Sequence, residues 1–153
     1  MISKVRTLAT GVAAAAALMT GGLVAAPAAS AGTTAVIHRC PELYFCFFFN
    51  STYEGAAATY LYSDGNLDNE TFNKGGTEGR GKAVKNNAAS AVNNWSYYAT
   101  VYYNSGCNGS VASQTFGAYG FGNFNATMKN ENASFNWPTS FGAYKDCANR
   151  DQF

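Results

Sequence analysis

Four cysteines, at positions 40, 46, 107 and 147, are the residues of this chain whose chemistry is most constrained by their number. An even count in a chain that carries an export signal reads as two disulfides. Three pairings are open, and Cys40 with Cys46 plus Cys107 with Cys147 is the expected one. The first pair is local, and the second then closes a loop across the C-terminal half. Each bridge contributes about 2–4 kcal/mol, chiefly by restricting the unfolded chain. Zinc binding is the competing use of four cysteines, but neither pair has the Cys-x2-Cys type of spacing such sites use. Once paired, the cysteines leave no thiolate nucleophile.

Other reactive constellations are sparse. His38 is the only histidine, no Gly-x-Ser-x-Gly elbow occurs, and the carboxylates are scattered rather than paired. The expectation is therefore a protein that is not an enzyme. Gly76-Thr77-Glu78-Gly79-Arg80-Gly81-Lys82 matches the glycine and lysine frame of a phosphate-binding loop. However, Ala83 stands where a hydroxyl should ligate magnesium, and no apolar strand leads in. The match is read as coincidence.

The elements that must hold these residues begin after an N-terminal signal. Lys4 and Arg6 precede a small apolar run, and Ala29-Ser30-Ala31 offers a cleavage site, so residues 1–31 read as a removed secretory peptide. A membrane anchor is the competing reading, which the Ala- and Gly-rich run and its cleavage pattern disfavour. Residues 32–39 are a lead segment, and 40–153 form one domain large enough for a core. Losing Lys4 and Arg6 turns the formal charge of +1 into −1, which gives no basic surface for nucleic acid. Few charges, with many Asn, Gly, Ser, Thr, Tyr and Phe, indicate a secreted all-β protein rich in turns.

One stretch organises the strands. Phe48-Phe49-Asn50-Ser51-Thr52-Tyr53-Glu54-Gly55 reads as a strand folding into a tight hairpin, its glycine in a conformation closed to other residues, its aromatics Phe48 and Tyr53 stacked across the turn. Upstream, Phe45, Phe47 and Phe49 would share one face of a strand, and Cys46 and Phe48 the other. Both faces are apolar, as expected of a strand buried on both sides rather than one presenting an aromatic stripe to a partner. Further strands are expected at 59–62, 88–95 and 97–103, with a polar, glycine-rich irregular segment over 64–87. The turn recurs: Tyr102, Cys107 and Gly109 stand against Phe48, Tyr53 and Gly55 at a constant displacement of 54, and Asn104-Ser105 against Asn50-Ser51 likewise. Asn86-Asn87-Ala88-Ala89-Ser90 is echoed by Asn130-Glu131-Asn132-Ala133-Ser134, with Trp95 and Trp137 soon after. Two such units, each unable to close a core alone, would pack as one two-sheet sandwich.

An aromatic turn paired with a later Asx-Asx-x-x-Ser segment, twice in one chain, resembles the βγ-crystallin superfamily, whose fold is two Greek-key motifs in a two-sheet sandwich. The Cys40-Pro41 to Cys46 motif, followed by Asn-Ser-x-x-x-Gly, is similar more narrowly to the secreted actinobacterial proteins of peptidase inhibitor family I36. That resemblance implies an extracellular, monomeric inhibitor whose partner is a protease, a metalloproteinase above all. Cys107 departs from the pattern by replacing the second aromatic, so its disulfide would take over the ring's role.

A rigid, disulfide-supported loop could lie pre-ordered in a protease cleft and avoid the cost of ordering it on binding. The inhibitory loop is not readable from sequence. The segment 74–82 lacks an apolar side chain, whereas 116–124 could present one through Phe116, Tyr119, Phe121 or Phe124. The superfamily resemblance also implies weak calcium binding through Asn86, Asn87, Ser90, Asn130, Glu131 and Ser134. With only one carboxylate among the six, turn closure by these side chains is the favoured role. No other cofactor is expected. The alternative function, from a different class, is a cell-surface or carbohydrate-binding module using Tyr97, Tyr98, Tyr102, Tyr103 and the 116–124 segment.

Overall fold

The computed structural model describes residues 39–138 and Cys147. The expected signal, most of the lead segment and His38 lie outside them. The described chain is all-β: β1 (Phe45–Phe48), β2 (Ala56–Tyr60), β3 (Lys74–Gly75), β4 (Ser90–Asn93), β5 (Ala99–Asn104), β6 (Asn108–Phe116), β7 (Phe121–Asn123) and β8 (Ser134–Asn136). They form two sheets, one ordered β3-β2-β1-β4-β7 and the other β6-β5-β8. In the first, β4 returns beside β1 after β2 and β3, as Greek-key winding does.

The two halves exchange edges. β7, from the second half, pairs with β4 in register Ala91 to Gly122, while Asp64, from the first half, bridges Phe135 of β8 through two backbone bonds of 2.9 Å. The Asn-rich segments also bond one another reciprocally. Asn86 donates its amide to the Asn132 carbonyl at 2.8 Å, and Asn130 donates to the Ala88 carbonyl at 2.9 Å. Since 130 and 132 are the repeat partners of 86 and 88, this is an internal two-fold relation read in hydrogen bonds. Neither half can satisfy its own backbone without the other, which ties both into one cooperative unit.

β1 is buried on both faces, as its sequence implies. Phe45 and Phe47 point between the sheets, where Phe45 stacks on Phe135 at 5.2 Å and meets Trp137 edge-on at 6.1 Å. Trp137 is fully buried and donates its indole N–H to the Leu61 carbonyl at 3.0 Å, satisfying its polar end. Cys46 and Phe48 face outwards into a second apolar cluster with Cys40, Ala57 and Val92. Both disulfides have the expected pairing, with Cα separations of 5.7 Å for Cys40–Cys46 and 5.9 Å for Cys107–Cys147.

Two expectations change. The second strand runs over Ala56–Tyr60 rather than 59–62: Ala56, Ala57 and Ala58 are buried, with Ala57 and Ala58 opposite Phe48 and Phe47 of β1. The segment 64–87 is irregular but not loose: Leu67, Phe72 and Val84 are fully buried, and β3 pairs with β2. Single anchors spaced among glycines and charges leave no period to detect.

Candidate functional site

Each half carries a turn folded back over its own sheet. In the first, the Phe49 amide donates to the Ala56 carbonyl and the Asn50 amide to that of Glu54. Thr52 and Tyr53 take left-handed φ of 58° and 64°, and Gly55 one of 77°. The Tyr53 ring meets Phe48 edge-on at 6.1 Å, which is the expected aromatic contact across the turn. Ser90 locks it: the Ser90 hydroxyl donates to the Asn50 carbonyl at 2.6 Å and accepts the Tyr53 amide at 3.0 Å. Desolvation beside these rings raises the Tyr53 phenol above its ordinary pKa. A Cβ on Gly55 would stand 3.1 Å from the Glu78 carbonyl oxygen, so both its φ and its surroundings call for glycine.

The second turn repeats the lock residue for residue. Ser134 donates its hydroxyl to the Asn104 carbonyl at 2.7 Å and accepts the Cys107 amide at 3.0 Å. Gly106 and Cys107, with φ of 71° and 54°, occupy the places of Thr52 and Tyr53. Gly109 departs from expectation. It lies inside β6, has no left-handed φ, and a Cβ there would meet the Tyr102 ring at 3.6 Å and the Ser113 hydroxyl at 4.0 Å, both ordinary contacts. The pairing of β5 with β6 slips in register between Tyr102 and Asn104, so the second hairpin closes without a left-handed residue at Gly55's place. Counting along the sequence cannot register that slip.

Where Tyr53 covers the first turn, Cys107 anchors the second to Cys147. Neighbouring bonds fix it further: the Gly106 amide to the Gly65 carbonyl at 2.7 Å, and the Ser105 hydroxyl to Asn66 Oδ1 at 3.2 Å. Asn108 Oδ1 accepts the Ser110 amide at 2.9 Å, stiffening the turn's exit. Ser105, Gly106 and residues 108–111 are nonetheless exposed, and Val111 is 61% accessible, the most open large apolar side chain among the described residues. Neither the bracing of this exposed turn nor Val111's exposure is a property of local sequence, so the sequence alone does not mark it as a docking surface.

The other candidates separate. Phe116 and Phe124 are buried and Phe121 packs edge-on against Tyr53 at 5.7 Å, so the 116–124 segment presents only Tyr119. Phe116 and Phe124 belong to the core between the sheets, whereas Phe121 packs on the outer apolar cluster. The 74–82 segment is exposed and held by the Arg80 guanidinium, which donates to the Asn73 and Gly75 carbonyls, but no disulfide supports it. Of the tyrosines, Tyr97 and Tyr98 are exposed, whereas Tyr102 and Tyr103 are half-buried.

Of the six residues considered for calcium, Asn86, Asn87 and Asn130 line one cavity of about 660 Å³ with Glu54, Glu78 and Lys129. Ser90 and Ser134, at the starts of β4 and β8, are fully buried against the two turns, and Glu131 does not line the cavity. Glu54 is paired with Arg39 at 2.9 Å, and no group of three or more His, Cys, Asp or Glu gathers among the described residues. Asn132 went unnoticed: its side chain accepts the Ala88 amide at 3.0 Å and donates to the Val84 carbonyl at 2.8 Å, joining the halves.

Among the described residues, no helix is long and apolar enough to cross a membrane. No curated protein matches the chain. The family model described as peptidase inhibitor family I36 matches residues 33–114, just over half the chain, from the Cys40–Cys46 bridge through both turns. The chain belongs to peptidase inhibitor family I36.

Proposed function

We propose that the protein, exported by a removed signal over residues 1–31, acts as a monomer that inhibits an extracellular metalloproteinase by placing its second turn, residues 104–110, in the enzyme's cleft. The observation that carries this reading is the bracing of an exposed turn. The Cys107–Cys147 disulfide, the paired bonds of Ser134 and the bond to Gly65 hold its backbone from three sides. A segment ordered before binding loses little conformational freedom in the cleft. Val111, just beyond the turn, supplies the apolar side chain that thermolysin-type enzymes favour. Among the described residues β6 is an edge strand, beside which an extended segment of the protease can pair.

Titrating the protein into a panel of thermolysin-type metalloproteinases should slow substrate turnover. Val111→Asp should weaken inhibition by about tenfold or more while leaving the melting temperature unchanged, since it forfeits apolar burial in the complex alone. No slowing of any enzyme in the panel at micromolar inhibitor overturns the proposal. Full potency in the Val111→Asp variant would instead move the contact to another loop, the 74–82 segment being next.

A further inference from the structure

The outer faces of the two sheets are built on the same plan and finished differently. On the first, Tyr44, Cys46, Phe48 and Val92 belong to or pack against the outer apolar cluster. At the equivalent places on the second stand Tyr98, Thr100, Tyr102 and Asn136, by the displacements of 54 and 44 that relate the halves. The cross-strand partners of Thr100 and Tyr102 on β6 are Thr115 and Ser113, both exposed. The face is ordered by its own bonds: Thr100 Oγ1 to Thr115 Oγ1 at 2.9 Å, and the Tyr102 hydroxyl to Asn136 Oδ1 at 3.0 Å.

None of its described residues carries a charge. No Asp, Glu, Lys or Arg occurs between Lys85 and Lys129, a stretch containing all of β5 and β6, and β8 has none. A nucleic acid or a charged peptide would find no ion pair here, and protein interfaces are enriched in Arg. What the face offers is ring surface, hydroxyls and an amide. Tyr98 and Tyr102 lie about 13 Å apart along an extended backbone, a row suited to a run of sugar rings rather than to one.

We infer that the outer face of the second sheet binds a neutral polysaccharide, its sugar C–H faces on Tyr98 and Tyr102 and its hydroxyls on Thr100, Ser113, Thr115 and Asn136. The inference does not depend on the inhibitor reading, because Tyr98 stands at the opposite end of β5 from the braced turn. It would hold an inhibitor at a cell-wall or matrix surface.

Co-sedimentation of the full mature chain with insoluble chitin and with microcrystalline cellulose tests it. The protein should pellet with at least one of them. Tyr98→Ala should bind about tenfold more weakly, the equivalent of one lost ring contact. Thr115→Glu, which puts a charge in the neutral face, should bind weakly too. Thermal melts show that both variants are folded. Protein that stays in the supernatant with both polymers overturns the inference, as does undiminished pelleting of both variants. Retention abolished by molar sodium chloride would mark ionic adsorption, and concentration-dependent self-association lost in Tyr98→Ala would mark a second copy as the occupant; either result also overturns it.

Discussion

The first turn is finished by a ring and the second by a disulfide. Tyr53 folds onto Phe48 and, with Cys40–Cys46 and Val92, closes the outer face of its sheet. Cys107 gives up that ring, tethers the turn to Cys147 and leaves the sheet beneath it open and polar. The serine lock is the same in both, with all four of its bonds between 2.6 and 3.0 Å. The duplicated part is therefore the backbone of the turn, and what differs is how each copy is held down. A ring must bury apolar surface to work, which takes up the sheet face beneath it. A covalent tether needs no such surface and leaves both turn and face available to partners.

The largest separation between the halves should come from truncating the equivalent rings. Phe48 is 3% exposed inside the outer cluster, so Phe48→Ala should cost about 3–5 kcal/mol. Tyr102→Ala removes a half-buried ring and one hydrogen bond, and should cost about 1 kcal/mol. Chemical denaturation of both variants measures the gap. Equal losses would show that the second face is packed like the first and would remove the contrast.

Next in size is the tether. Cys107→Ser with Cys147→Ser should lower stability by about 2–4 kcal/mol. It should also reduce protease inhibition by more than the stability loss explains, because the turn's bracing goes with it. Cys40→Ser with Cys46→Ser removes a shorter loop, with a separation of 6 residues against 40, and so constrains the unfolded chain less. Its inhibition at temperatures well below its melting point should be near that of the intact protein. Unchanged inhibition after loss of the Cys107–Cys147 bridge would show that the turn does not need its tether.

The contrast between the turns was only partly legible in the sequence. The constant displacement from Phe48 to Tyr102 and from Tyr53 to Cys107 exposed the duplication, and the apolar run at 45–49 marked a strand buried on both faces. Ser90 and Ser134 were legible as turn-closing residues, but which turns they close was not. Each hydroxyl bonds a turn 27 to 40 residues earlier, a partner that local sequence does not name. Ala56, Ala57 and Ala58 were silent because alanine carries no strand signal, and their burial is a tertiary property. Gly109 was assigned Gly55's role by spacing, and the register slip in the second hairpin removed that role.

A smaller effect follows from that slip. Gly55→Ala places a Cβ on a left-handed residue 3.1 Å from a carbonyl oxygen, and should destabilise by more than about 1 kcal/mol. Gly109→Ala meets only ordinary contact and also restricts the unfolded chain, so its effect should be neutral or stabilising by up to about 1 kcal/mol. Paired thermal melts test this, and a Gly109→Ala variant as damaged as Gly55→Ala would mean that the two turns close alike.

The smallest effect reads the open face directly. Burial raises the Tyr102 phenol above its ordinary pKa; the hydrogen bond with Thr100 opposes that shift, and the neighbouring Tyr98 adds to it. A phenol whose folded pKa is raised holds its proton longer folded than unfolded. Its contribution is therefore complete below about pH 10 and is lost as pH rises through the folded value. Tyr98→Phe removes one phenolate and should move the Tyr102 titration back towards the ordinary value, while Thr100→Val should move it further up. Titration of a Tyr102 ring carbon by nuclear magnetic resonance resolves both shifts, even where global stability hardly changes. If neither substitution moves Tyr102, the three side chains do not share one surface, and the row on which a polysaccharide would lie is not there.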